Sequence, residues 1–310
     1  ATYNTSLGFQ ALEALAAGGN YNTALGAEAG TAITTGDQNI AIGYQALQTE
    51  DTGSRNVAIG AYALKDLNND ALTYNVGVGY AAGLSISTGA KNTLVGGLTG
   101  DALTTGYENV AIGYGALTTE DGNGRNVAVG NDTLATLNAG ADGYNTAVGY
   151  GAGYLMSTGI NNTLIGSLAG DALTTGINNT AVGLRALSAE DGHGGNVAIG
   201  VDALMLLNAG GDAYNVAVGF ESGKVMSTGV QNTIIGSFAG DAITTGDYNV
   251  AVGYAALSTE DGHGRNTAIG HEALKTLNAG ADAYNVAVGY AAGEVMSTGV
   301  NNVTIGGFAG

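Results

Sequence analysis

The feature that most constrains this chain is a motif, Asn-x-x-(Ile/Val/Leu)-Gly, that returns eighteen times between Asn4 and Asn302. The asparagines are spaced 18 residues apart once, then 17, 17 and 19, and afterwards 17, 17, 17 and 19 repeatedly. A period this short and regular marks units that cannot bury a core alone and must stack on their neighbours. Four units make a 70-residue super-repeat, seen as 75–144, 145–214 and 215–284, with partial copies at 1–74 and 285–310. Residues 1–310 therefore read as one repeat domain, and as an excerpt of a longer fibre.

Within each unit, residues alternate with the period of two that belongs to a strand. The residue one after the asparagine is Val, Thr or Ile, and the residue three after it is Ile, Val or Leu, as in Ile42, Val78, Ile165 and Ile305. These β-branched and apolar positions share a face, and the sequence assigns that face to the interior. The opposite face carries mostly Ala two after the asparagine and Gly four after it. Its Ala-Gly stripe, interrupted by Leu94, Leu164, Ile234 and Thr304, is read as an outer surface on which neighbouring chains pack. A flattened coil whose two faces cover each other is the competing reading.

Composition agrees with a stacked all-β chain. It includes 55 glycines, and proline, cysteine and tryptophan are absent. Proline would remove a ladder hydrogen bond wherever it fell in a stacked strand. Glycine recurs at unit corners such as Gly89, Gly106, Gly159 and Gly176, where positive φ is expected. The expected fold class is thus an all-β parallel β-solenoid of about 18 coils of 17–19 residues, each adding about 4.8 Å of rise. The recurrent asparagines, among them Asn75, Asn92, Asn109, Asn126, Asn145, Asn162, Asn179 and Asn196, are expected to form a structural ladder.

Eight basic residues against twenty-six acidic ones give a net charge of −18, which excludes nucleic acid and anionic membrane surfaces as partners. No apolar run approaches the roughly 20 residues of a membrane span, so no membrane insertion is expected of this segment.

Segments such as Asn109-Val-Ala-Ile-Gly-Tyr-Gly-Ala-Leu117 and Asn249-Val-Ala-Val-Gly-Tyr-Ala-Ala-Leu257 resemble the repeats of trimeric autotransporter adhesin heads and of bacteriophage tail-fibre proteins. The resemblance covers the whole chain. It implies a parallel β-roll, left-handed in the adhesin heads, with three chains side by side, and a role in display or attachment outside the cell, on a virion tail fibre or a cell surface. The coils here, at 17 to 19 residues, are longer than the adhesin-head repeat.

Catalytic chemistry has few candidates. Only His193, His263 and His271 could act as imidazole bases or ligands, and the first two stand one super-repeat apart, about 19 Å at the strand spacing. No enzyme activity and no cofactor are expected. The acidic pairs Glu50-Asp51, Glu120-Asp121, Glu190-Asp191 and Glu260-Asp261 recur in one turn, and Asp101, Asp171 and Asp241 in another. Each turn alone offers a few oxygens where calcium takes six to eight. They are weak calcium candidates and otherwise a solvated acidic surface, with Arg55, Arg125 and Arg265 closing the same turns.

Tyr74, Tyr144, Tyr214 and Tyr284 form a column that could stack on a surface glycan. A second column five after the asparagine alternates rings with smaller residues. The expected role is the structural shaft of an extracellular fibre, built as a homotrimer. The alternatives are an adhesin module recognising a glycan and an ice-binding solenoid, whose threonine arrays the mixed Val57, Val76, Thr93 and Val110 column matches poorly.

Overall fold

A computed structural model describes residues 1–310 as an all-β parallel solenoid with eighteen three-residue strands, one per coil and no helix. The coils fall into two compact units, residues 1–160 and 161–310. The first holds nine strands, β1 (Thr5–Leu7) to β9 (Thr146–Val148), and the second nine more, β10 (Thr163–Ile165) to β18 (Val303–Ile305). Within each unit, successive strands pair parallel and in register, so that Val110, Ala111 and Ile112 stand beside Val127, Ala128 and Val129. The ladder bonds run in both directions from one coil, with Val110 N–H donating to Asn126 O at 2.9 Å and Gly113 N–H to Val95 O at 2.8 Å.

The interior lies on the face opposite to the one the sequence reading chose. The alanines two after the asparagine, including Ala111, Ala128, Ala147, Ala198 and Ala217, are fully buried, while the Val/Thr and Ile/Val columns on either side are half-buried or exposed. Ile112, Ile165 and Ile235 each expose 39% of their surface. The Ala-Gly stripe is therefore an internal wall and not a surface between chains. The physical reason is the narrowness of the coil. Its bulk comes from the opposite wall, from buried leucines eight and residues such as Ile33, Leu67, Ile86 and Leu103 eleven after the asparagine, and the strand must meet them with small side chains.

The two walls are complementary in size. At Gly77, in the alanine position, an added Cβ would lie 2.8 Å from Leu64 Cγ, which belongs to the preceding coil. Where the strand instead carries a large residue, the facing position loses its leucine. A Cβ on Gly83 would stand 2.7 Å from Leu94 Cδ1, one on Gly170 2.8 Å from Leu164 Cδ2, and one on Gly240 3.1 Å from Ile234 Cδ1. So Leu94, Leu164 and Ile234 are packing partners of glycine and not interruptions of an outer stripe.

The leucines at this position adopt a left-handed backbone, with φ of 46° at Leu64, 49° at Leu134 and 48° at Leu204. That conformation costs a non-glycine residue about 1–2 kcal/mol, and complete burial of a leucine, about 1.5–3 kcal/mol, offsets it. The glycine four after each asparagine is fixed by two independent needs. Gly43 has φ 133°, and a Cβ there would fall 2.5 Å from the carbonyl carbon of Gly60 in the next coil.

The inside-outside sense is open to a direct test by denaturant melts with far-UV circular dichroism. Ala198→Asp places an unpaired charge in the dry interior and should cost about 4 kcal/mol or more. Ile199→Thr, one residue on and facing outward, should cost less than about 1 kcal/mol. Equal effects would contradict the observed polarity of the strand.

Candidate functional site

The asparagines stack along each unit. The backbone N–H of Asn92 donates to Asn75 Oδ1, that of Asn109 to Asn92 Oδ1 and that of Asn126 to Asn109 Oδ1, all at 3.0 Å. Asn75 N–H reaches Asn56 Oδ1 at 3.0 Å, and Asn145 N–H reaches Asn126 Oδ1 at 3.2 Å. In the second unit Asn179 donates to Asn162 Oδ1 at 2.9 Å and Asn196 to Asn179 Oδ1 at 3.0 Å. The Nδ2 group turns to the corner that closes the coil, as from Asn92 to Gly106 O and from Asn162 to Gly176 O, each at 2.8 Å. One side chain thus satisfies a strand-entry donor and a corner acceptor that would otherwise be buried without partners.

The acidic pairs divide between two environments. The aspartates Asp121, Asp191 and Asp261 are exposed, whereas Glu50, Glu120, Glu190 and Glu260 have no exposed surface at all. The expectation of a solvated acidic turn is corrected for these glutamates. They sit at the core position that Leu67 or Ile86 fills in other coils, and each carboxylate caps backbone donors. Glu50 Oε1 accepts from Gly53 N–H at 2.6 Å and its Oε2 from Asn69 N–H at 3.4 Å. Glu120 accepts from Asn123 N–H at 3.1 Å and Ala139 N–H at 3.3 Å, and Glu260 from His263 N–H at 3.2 Å and Ala279 N–H at 3.3 Å. Asn69, Ala139 and Ala279 lie in the 19-residue coil that follows, so the glutamate ties its own turn to the longer turn above it.

Burial pushes the Glu50 carboxyl from its ordinary 4.5 up to about 7, against the lowering effect of its N–H donors. Burial likewise raises Glu120 and Glu260, and it raises Asp101, Asp171 and Asp241. Each of those three aspartates has a buried Oδ1 without a hydrogen-bond partner.

Two of these turns also bring histidine into place. His193 Nδ1 lies 3.3 Å from Glu190 Oε1, and His263 Nδ1 3.4 Å from Glu260 Oε1. Glu190, Asp191 and His193 each present a ligand-type atom within 4.8 Å of the others, as do Glu260, Asp261 and His263. His271 stands elsewhere, stacked between Tyr254 and Tyr290 at 5.0 and 5.1 Å.

The arginines do not pair with the acidic residues of their own turns. Arg125 bonds Glu108 at 3.2 Å and also pairs with Asp142, and Arg265 pairs with Asp282. Their guanidinium groups cover tyrosine rings, with Arg125 5.1 Å from the centre of Tyr107 and 5.5 Å from that of Tyr144. Arg55 covers Tyr74 at 5.4 Å and Arg265 covers Tyr284 at 5.6 Å. Tyr214 has no such partner in its column, because the equivalent residue is Gly195, against which its ring lies. Three of the four tyrosines proposed to stack on sugar thus already carry a cation over the ring.

The second aromatic column is filled more fully than its alternation suggests. Tyr62 lies 5.4 Å from Tyr44 and 5.8 Å from Tyr80, and Phe238 5.3 Å from Phe220 and 5.9 Å from Tyr254. Rings one position further on in the intervening coil occupy the gaps beside Ala61 and Ser237.

No helix is long and apolar enough to cross a membrane. Comparison with protein-family models, curated proteins and solved structures finds no match to the chain.

The buried carboxyls set a pH dependence whose sign follows from the raised values. A carboxyl raised in the folded state binds its proton more tightly there than when unfolded, so its stability contribution is complete below the ordinary value and is lost as pH rises through the folded one. Thermal melts should therefore show the chain stabilised as pH falls from about 7 towards 4.5, the window set by Glu50. Glu50→Gln should flatten part of that dependence. A stability that falls steadily over this range would contradict the burial of these groups.

Proposed function

We propose that the chain is a structural shaft of an extracellular fibre, of the phage tail-fibre or bacterial surface-appendage kind, in which copies lie side by side and most simply as a homotrimer. The observation that carries this reading is the outward face of the strands. Its Val/Thr and Ile/Val columns repeat in register at every coil and remain half-exposed, with Ile112, Ile165, Ile199, Ile235 and Ile269 each showing 37–39% of their surface. Nine strands at about 4.8 Å and three residues at about 3.3 Å give roughly 430 Å² of flat, largely apolar face per unit. A continuous patch of this size within one unit is on the scale that in monomers is often an interaction site. Association thus uses the β-branched face, the reverse of the Ala-Gly contact that the sequence suggests.

The reading assigns no catalytic step to the chain. Its function is length, rigidity and a net acidic surface that resists aggregation. A second reading, an ice-binding surface, gains one observation, since the mixed threonine and valine column now faces outward from a regular sheet. A glycan-binding role for the Tyr74, Tyr144, Tyr214 and Tyr284 column loses support from the arginines that cover three of its rings.

Light scattering on the purified chain should give about three times its 30.5 kDa mass. The double variant Ile112→Arg/Ile235→Arg places charge on the outward face of both units and should dissociate the particle to folded monomers, because unpaired charge in a dry interface opposes association. A wild-type monomer would sink the side-by-side reading, and thermal hysteresis in that monomer would establish the ice-binding one.

A further inference from the structure

The two histidine-bearing turns hold a constellation that a shaft does not require. We propose that Glu190-Asp191-Gly192-His193 and Glu260-Asp261-Gly262-His263 each bind one divalent transition-metal ion of the zinc class, through the two carboxylates and His Nδ1, with water completing the coordination.

Geometry supplies the first argument. Ligand atoms about 2.0–2.2 Å from a zinc ion stand roughly 3.2–4.3 Å from one another in four- to six-coordinate sites, and the three donors of each turn already lie within 4.8 Å. The turn is held before any ion arrives. Glu190 Oε1 accepts the His193 backbone N–H, and Glu260 Oε1 that of His263, both at 3.2 Å. The histidine carbonyls are bonded in turn by ladder asparagines, Asn179 Nδ2 to His193 O at 3.0 Å and Asn249 Nδ2 to His263 O at 3.2 Å.

Unsatisfied atoms supply the second argument. Glu190 is completely buried, yet its Oε2 has no hydrogen-bond partner. His263 Nδ1 is also shielded from solvent without a hydrogen-bond partner, although it faces Glu260 Oε1 at 3.4 Å. At His193 the same contact is a hydrogen bond of 3.3 Å when Nδ1 carries the proton, and the deprotonated Nδ1 presents its lone pair beside a carboxylate oxygen, a pairing that a cation bridges.

The third argument is a comparison the chain makes with itself. The same turn occurs as Glu120-Asp121-Gly122-Asn123, where Asn123 Nδ2 donates to Glu120 Oε1 at 3.2 Å and completes the turn by a hydrogen bond alone. Histidine stands in for that donor with a ring nitrogen 3.3 Å from Glu190 Oε1 that, unlike the amide, can also coordinate a metal. An imidazole beside two carboxylates suits a borderline metal, whereas calcium and magnesium take oxygen donors and calcium takes more of them than one turn supplies. The net charge of −18 raises the local concentration of any cation.

The test is calorimetric titration of the chelator-treated full chain with zinc chloride at pH 7.5, with bound metal counted after dialysis. Two ions per chain are expected, one for His193→Asn, and none for His193→Asn/His263→Asn, substitutions that copy the residue the fold itself uses at position 123. Independently of any variant, zinc should shift the ring resonances of two histidines in ¹⁵N-edited spectra and leave that of His271 in place. Absence of saturable uptake, unchanged stoichiometry in the double variant, a calcium stoichiometry indifferent to the histidines, or a shift confined to His271 would each overturn the proposal.

Discussion

The structure depends on how little space a coil of 17 to 19 residues encloses. Two walls face each other across one side chain's depth, so a large residue on one wall requires a small residue on the other. Leu64 opposite Gly77 and Leu94 opposite Gly83 are the two ways of meeting that condition, and the chain alternates between them. The strand is short for the same reason. Three residues cross the wall before Gly turns the chain with φ near 135°, and the next coil's backbone is so close that no Cβ fits there.

Stacking these thin layers leaves polar backbone groups at each corner, and the asparagine ladder answers them with one side chain per coil. Its register depends on the uniform spacing of neighbouring coils, and the 19-residue coil disturbs that spacing by two residues. The buried glutamates restore it. Each lies in the coil before a long one, and Glu50, Glu120 and Glu260 accept from both turns, as Glu120 does from Asn123 and Ala139. A carboxylate in a core position is unfavourable by itself, and its two N–H donors are what make the site tolerable.

The period, the parallel in-register pairing and the coil count were legible from the asparagine spacing alone, because a ladder of identical side chains demands a fixed repeat. The sense of the strand was not. Alternation with period two separates Ala111 from Val110 and Ile112 but does not say which face is inner, and the rule that larger apolar residues go inside fails when the opposite wall supplies the bulk. The signal that resolves it is the pairing of positions across the coil, large at Leu94, Leu164 and Ile234 where the facing residue is Gly83, Gly170 or Gly240. A wall that compensates for its partner is internal. The glutamates were misplaced for a related reason. In the local string Glu-Asp-Gly they read as turn residues, and only their distance of eleven from the coil asparagine, shared with Leu67 and Ile86, marks them as core.

That inversion changes what the outer surface can do. With alanine inside, the β-branched residues face outward in straight columns, so the face available to another chain is firm and apolar, and its side chains carry little rotamer freedom to lose on contact. Charge is kept away from it. The acidic residues and arginines cluster at the corners, where Arg125 and Arg265 bridge successive coils through carboxylates and tyrosine rings. A surface divided in this way, apolar on the strand face and charged at the corners, is the division that the proposed side-by-side packing requires.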